Sequence, residues 1–366
     1  MSNFELGLWS FPVLLLLILA RAPIGLAMLA CGFGGLWLAT GSPNMALAKL
    51  KTESFSTFSS YNLSIIPMFL LMGQFATLGG MSGALFRAAE SWIGHRKGGL
   101  AMSAIGACAG FGAICGSSLA TAATMGQVAL PELKRAGYSG ALSTATLAAG
   151  GTLGILIPPS VVLVLYAILT EQNIAKLFLA AFIPGILAAI FYAGVIRLYL
   201  IRHPDEAGTL PRQGWGARMR SLAGVWPVLA VFLLVVGGIY GGWFTPTEGA
   251  AVGAAGTGLI AALSGRLTLP LLRDALYATA AGTAMVFFII LGAGFFNSFL
   301  ALSQVPQRLS GMVGEAGLSP WLVLIVILTV YLLLGCLMDS LSMILLTIPI
   351  FFPMVQSMDF GMTPEQ

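Results

Sequence analysis

Charged side chains are scarce in this sequence. Lysine, arginine, aspartate and glutamate together make up 8% of its 366 residues, against 58% hydrophobic, whereas soluble domains carry roughly 25% charge. A chain this poor in charge cannot cover a core of that size in water, so water is not its main solvent. Histidine is scarcer still, with two residues, His95 and His203. Both lie in hydrophilic stretches, so no serine in an apolar segment has an imidazole base, and no lysine lies within the apolar spans to replace it. That argues against a membrane-embedded hydrolase, and the chain reads as no enzyme. The four cysteines, Cys31, Cys108, Cys115 and Cys336, have no paired spacing, which argues against a disulfide framework or a zinc site. They read as small packing residues. No cation precedes Arg21 and no small-residue cleavage site follows the first apolar run, so that run is expected to stay as a membrane helix rather than leave as a signal peptide. The net charge of +4 comes from cations that flank apolar runs, which is a topology signal and not a nucleic-acid footprint.

What is present is apolar sequence in lengths that suit a bilayer. Runs such as Phe11 to Ala20, Leu222 to Tyr240 and Leu318 to Leu334 approach the roughly 20 residues that cross hydrocarbon as helix. Spans are expected near 6–21, 24–41, 62–80, 138–173, 175–201, 222–241, 247–264 and 282–300. The segment 98–133 is too long for one span and is cut by Gly112-Ala-Ile-Cys-Gly-Ser-Ser118. Each arm is about 22 Å of helix, short of the roughly 30 Å hydrocarbon core, so a re-entrant hairpin is expected. The same shape recurs at 319–357, with Gly335-Cys-Leu-Met-Asp-Ser340 as its tip. Other landmarks recur in the same order: Pro23 with Pro246, Leu50–Phe55 with Leu271–Leu276, and Pro131 with Pro353. The expectation is an all-α polytopic membrane protein of two repeat units, residues 1–201 and 222–366, joined by a Pro- and Gly-containing cytoplasmic connector at 202–221. Five crossings per unit make the second unit inverted, with the hairpins entering from opposite sides. A periplasmic N-terminus places thirteen cations inside and leaves only Lys49, Lys51, Lys176 and Arg308 outside, as the positive-inside rule requires.

Three places carry chemistry. At the first tip, Gly116, Ser117 and Ser118, with Thr121 one turn on, put small residues and hydroxyls where two half-helices meet. Glycine lets a ligand approach, and the N-terminal end of the second arm offers N–H groups to an anion. The same composition also serves plain helix packing. In 138–173 the run Gly150-Gly-Thr-Leu-Gly-Ile-Leu-Ile-Pro-Pro-Ser160 breaks a membrane helix. Pro158 and Pro159 have no N–H, so the carbonyls of Gly154 and Ile155 lose their helical donors and suit a hard cation such as sodium. A simple kink is the alternative. At the second tip Asp339 is a carboxylate in an apolar surround, which points to an ion or substrate path, or else it caps the second arm. Ser340 and Ser342 add hydroxyls. Glu248, in Thr245-Pro246-Thr247-Glu248, reads as the end of a capping motif.

These residues resemble a known family, the large membrane subunit of the tripartite ATP-independent periplasmic (TRAP) transporters. The resemblance runs through Ile66-Pro67-Met68-Phe69 with Met72-Gly73, Gly116-Ser117-Ser118-Leu119-Ala120-Thr121, Pro131-Glu132 with Gly137-Tyr138, and Leu153-Gly154-Ile155-Leu156-Ile157-Pro158-Pro159-Ser160. It continues through Pro184-Gly185, Thr245-Pro246-Thr247-Glu248 and Met338-Asp339. It implies an elevator-type carrier of the bacterial inner membrane, driven by co-transported sodium and needing no organic cofactor. Its implied partners are a small membrane subunit, a periplasmic binding protein and an organic acid such as a C4-dicarboxylate or a sialic acid. The expected substrate contacts are Ser117, Ser118, Thr121, Ser160, Ser340 and Ser342. The expected sodium ligands, mostly backbone carbonyls, are Gly116, Ser117, Gly154, Ile155, Pro158 and Asp339. The alternative is a stand-alone sodium-coupled dicarboxylate or citrate carrier of the same architecture, with no binding protein. The repeat places a second broken helix beyond Gln366, so the sequence is expected to be C-terminally incomplete and inactive in transport by itself.

Overall fold

Glycine, proline and serine punctuate the chain, and many of the helices begin or end on them. The computed structural model describes residues 2–315, 319–336, 338–356 and 358–361, and among these every regular element is helical. The first seven α-helices are α1 (Asn3–Leu19), α2 (Ile24–Thr40), α3 (Pro43–Ser59), α4 (Ile65–Leu78), α5 (Met81–Ile93), α6 (Gly99–Cys115) and α7 (Ser118–Arg135). Next come α8 (Gly140–Leu156), α9 (Val161–Leu169), α10 (Ile174–Arg202), α11 (Trp215–Ala223) and α12 (Trp226–Tyr240). The last are α13 (Pro246–Leu263), α14 (Leu269–Ser303), α15 (Val305–Glu315), α16 (Pro320–Gly335) and α17 (Ser340–Gln356). By length and composition Tyr61–Leu78, Ile174–Arg202 and Leu269–Ser303 can each cross a membrane, and two pairs bent by 43°, α8 with α9 and α11 with α12, make up to five spans. The spans expected at 6–21 and 24–41 are helices of 17 residues each, about 25 Å long. The second stops at Gly41, whose φ of 68° ends the helix in the left-handed region.

Some helix starts recur at a fixed offset along the chain. α2 starts at Ile24 and α13 at Pro246, 222 residues on, and α7 and α17 start at Ser118 and Ser340 with the same offset. Packing divides the chain differently, into one unit of residues 1–61 with 284–366 and another of 62–283. In the first unit α2 is small where it meets the end of α14. A Cβ on Gly32 would sit 2.6 Å from the Phe295 carbonyl carbon, and one on Gly35 would sit 2.7 Å from the Phe299 ring. Close backbone approach of this kind is how membrane helices gain dispersion contact. In the same unit α15, α16 and α17 close over Val323, Ile327 and Met354.

In the second unit α4 packs on α13, where a Cβ on Gly258 would sit 3.1 Å from the Phe75 ring. The Thr245 and Glu248 side chains form a reciprocal capping box at the start of α13. The connector is less loose than its prolines and glycines suggest, because Glu206 fastens it. The Ser139 hydroxyl, at the N-cap of α8, donates to Glu206 Oε2 at 2.7 Å, and the Tyr199 hydroxyl, near the end of α10, donates at 2.9 Å. The Leu210 N–H adds a bond to the Gly94 carbonyl at 3.3 Å, and residues beyond Gly214 form α11.

Those hydroxyls, Ser139 first and then Tyr199, hold the Glu206 carboxyl below the ordinary carboxylate range. A carboxyl depressed by folding stabilises fully above its unfolded value and loses that contribution as pH falls through the folded value. Glu206→Gln is therefore expected to raise amide exchange across 203–212 at neutral pH. The native chain should reach the same exchange only in acid, below the ordinary carboxylate range. If the variant exchanges no faster than the native chain, the fastening role is wrong.

Candidate functional site

The first hairpin and the broken helix meet tip to tip within residues 62–283. α6 ends at Gly116, whose φ is 64° and whose N–H bonds the Gly112 carbonyl at 2.9 Å. Ser117 then turns the chain and caps α7, its Oγ accepting from the Ala120 N–H at 3.4 Å. The partner break lies at 157–160. α8 stops because Pro158 and Pro159 bring no N–H, and Ser160 restarts the chain as the cap of α9, accepting from the Leu163 N–H at 3.4 Å. The two breaks bond directly, Val161 N–H to the Gly116 carbonyl at 3.3 Å.

The approach is close enough that only glycine fits at the seam. A Cβ on Gly112 would lie 2.6 Å from the Gly154 Cα, and one on Gly154 would lie 2.5 Å from Thr121 Oγ1 and 2.7 Å from the Ser117 carbonyl oxygen. A Cβ on Gly116 would lie 3.0 Å from the Pro159 carbonyl oxygen. Gly116, Ser117, Thr121, Gly154 and Ser160 therefore share one junction, with Pro158 buried in the break and Ile155 half-buried before it. Ser118 touches the same seam, its carbonyl oxygen 3.2 Å from where a Cβ on Gly151 would be. Thr121 and Ser160 are fully buried, and Thr121 Oγ1, next to the Cys115 thiol, makes no hydrogen bond of good geometry to any oxygen or nitrogen.

Four helix ends converge here with opposite polarity. The starts of α7 and α9 bring N–H groups and the positive ends of their dipoles, while the ends of α6 and α8 bring carbonyls. A carboxylate is matched by the first pair and a hard cation by the second. Beside the junction lies a cavity of about 270 Å³ lined by uncharged polar groups, among them Gln74, Thr77, Ser117, Thr124 and Gln127. Sequence reasoning missed the two glutamines and Thr77 and Thr124. The signal was there in spacing, since Ser117, Thr124 and Gln127 recur at helical intervals along one face of α7.

The remaining expected residues belong to residues 1–61 with 284–366. Asp339 is exposed and accepts from the Ser342 N–H at 3.4 Å, capping α17. It stands 222 residues after Ser117, the cap of α7. Ser340 opens that helix, and the Ser342 Oγ is buried without a partner. Cys336 corrects the packing reading of the cysteines. It is exposed at the end of α16, where the apolar run stops, while Cys31, Cys108 and Cys115 are buried. Among the described residues no group of three or more His, Cys, Asp or Glu side chains is placed to hold a metal. Any ion at the seam therefore relies on carbonyls and hydroxyls.

Among the described residues, an apolar helical hairpin and a broken helix are joined tip to tip. Residues 11–364 match the family described as tripartite ATP-independent periplasmic transporter, DctM component. A C4-dicarboxylate TRAP transporter large permease of Pseudomonas aeruginosa is 38% identical over 335 residues, 90% of this chain and 77% of its own length. An ectoine/5-hydroxyectoine TRAP transporter large permease of Ruegeria pomeroyi is 31% identical over 97% of this chain and 82% of its own. An isethionate TRAP transporter permease of Oleidesulfovibrio alaskensis is 30% identical over 89% of this chain and 52% of its own. The chain belongs to the TRAP transporter large permease family, and it is a multi-pass membrane subunit of such a transporter.

Proposed function

We propose that this permease is the translocation subunit of a sodium-driven importer of an organic acid in the bacterial inner membrane. A periplasmic binding protein would deliver the acid and a small membrane subunit would complete the transporter. The observation that carries this reading is the seam at Gly116, Thr121 and Gly154, where a buried hydroxyl without an oxygen or nitrogen partner lies against Gly154, on the turn whose carbonyls lose their helical donors to Pro158 and Pro159. Sodium is cargo on this reading, held by Thr121 Oγ1 with the carbonyls of Ser117, Gly154 and Ile155. The N-terminal ends of α7 and α9 would take a substrate carboxylate, with Ser117, Ser118 and Ser160 as hydroxyl contacts. Asp339, Ser340 and Ser342 would play the corresponding part at the second tip.

Sodium favours the substrate-competent state only if it binds that state better than the other, and a seam assembled from two separate helix breaks offers such a difference. Anionic substrates fit the uncharged cavity because helix ends, and not fixed cations, supply the positive potential. The named substrates of the relatives, a C4-dicarboxylate and isethionate among them, support an acid. The positive-inside count supports a periplasmic N-terminus.

The test is uptake of radiolabelled succinate into proteoliposomes holding the complete transporter, with and without a sodium gradient and the binding protein. Accumulation that needs both is the expected result. Accumulation without the binding protein would favour a stand-alone carrier, and accumulation unaffected by sodium would sink the coupling.

A further inference from the structure

One face of α10 is left uncovered. Ile183, Leu187, Ile190, Gly194, Arg197 and Ile201 lie three or four residues apart and so form a single stripe along the helix. The four aliphatic members are exposed, from 45% at Leu187 to 69% at Ile201. A Cβ added at Gly194 would meet nothing within 4 Å, so the stripe carries a notch halfway along. Where it reaches Arg197 it opens into a cavity of about 470 Å³ that Arg197 shares with Arg96 and Lys97, over a floor of Met102, Leu200 and Ile201.

Three cations line that cavity and no carboxylate does. The two ion pairs among the described residues, Lys49 with Glu53 and Arg135 with Glu132, use none of them. Glu206, at the same end of α10, is engaged by Ser139 and Tyr199. The basic cavity beside α11 differs, because Glu90 lines it together with Arg87 and Arg220 and supplies an anion from the protein itself.

Uncompensated cations over an apolar floor select an anion that carries its own apolar part. From Arg197 back to Leu187 is ten residues, about 15 Å of helix, which is one leaflet's share of a hydrocarbon core of roughly 30 Å. Basic pockets between membrane helices take anionic headgroups for the same reasons. We propose that this is a binding site for an anionic phospholipid, with its phosphodiester on Arg96, Lys97 and Arg197 and an acyl chain along the stripe in the notch at Gly194. The site lies away from the helix breaks, so it stands whether or not sodium binds there.

The full chain, delipidated in detergent, is titrated with phosphatidylglycerol, phosphatidylethanolamine and glycerol 3-phosphate, and binding is read by native mass spectrometry and by the thermal midpoint. Phosphatidylglycerol is expected to stay bound and raise the midpoint, with phosphatidylethanolamine at least tenfold weaker. Arg96→Gln, Lys97→Gln and Arg197→Gln together should weaken phosphatidylglycerol at least tenfold. Gly194→Leu, at an open and helical position, should weaken it while the lipid-free midpoint holds. Equal affinity for the two lipids, or retention of phosphatidylglycerol by both variants, overturns the proposal. Glycerol 3-phosphate binding as tightly as the lipid would mark a soluble phosphate site and overturn it too.

Discussion

Thr121→Val should fold as well as the native permease yet need at least ten times more sodium for half-maximal uptake. Thr121 is fully buried and its Oγ1 has no oxygen or nitrogen partner. An unsatisfied buried hydroxyl costs about 1–3 kcal/mol, and valine keeps the shape while removing it. The empty protein should therefore be unchanged or slightly more stable. On the proposed reading the loss should appear only when the ion is present, because one oxygen ligand would be gone from the seam with Ser117 and Gly154. A tenfold change corresponds to about 1.4 kcal/mol, within what one such oxygen supplies. Thermal midpoints in sodium and in choline, beside the sodium dependence of uptake, separate the two effects. Native sodium dependence in Thr121→Val would remove this hydroxyl from the ion site.

Gly112→Ala should cost about 1–3 kcal/mol of stability and abolish most uptake, while Gly106→Ala on the same helix should do neither. At Gly112 the new methyl would fall 2.6 Å from the Cα and 3.0 Å from the N of Gly154. Both are backbone atoms with no rotamer to move away, so the two helices must separate. That separation opens the Gly116 to Val161 bond and displaces Thr121 from Gly154. At Gly106 a Cβ meets nothing within 4 Å, and there alanine is the better helix former by about 0.5–1 kcal/mol. Thermal unfolding of the two variants in parallel, with uptake, checks the contrast. Equal midpoints would show that the α6–α8 seam is looser than its distances indicate.

The helix breaks were legible because the residues that make them act locally. Gly116-Ser117 and Pro158-Pro159 dictate a turn wherever they occur in a helix, and the chain does leave the helix at both places. What escaped was whatever depends on neighbours. α5 and α11 are too polar to announce a span and are held by packing. The expected span at 282–300 is the later part of a 35-residue helix, since no breaker follows Pro270 and nothing local marks where membrane begins. The order of prolines and glycines suggests two consecutive units, whereas packing groups residues 1–61 with 284–366 and leaves 62–283 as the other unit. Residues 1–61 pack on the chain after 284 through glycine–phenylalanine contacts that no single segment reveals. At the junction, the hydroxyls of Ser117 and Thr121 could be read from the tip motif. Gln74 could not, because it reaches the cavity from α4, far along the chain.

The Tyr138 hydroxyl accepts from the Leu100 N–H at 3.3 Å, and so ties the root of α6 to the turn that starts α8. With Val161 bonded to Gly116 at the far end, the two arms are riveted at both extremities, about 24 Å of helix apart. To scissor, a pair tied at both ends must break a hydrogen bond worth about 0.5–1.5 kcal/mol. Tilting or sliding the pair as one lever leaves both bonds intact and so costs less at these two points.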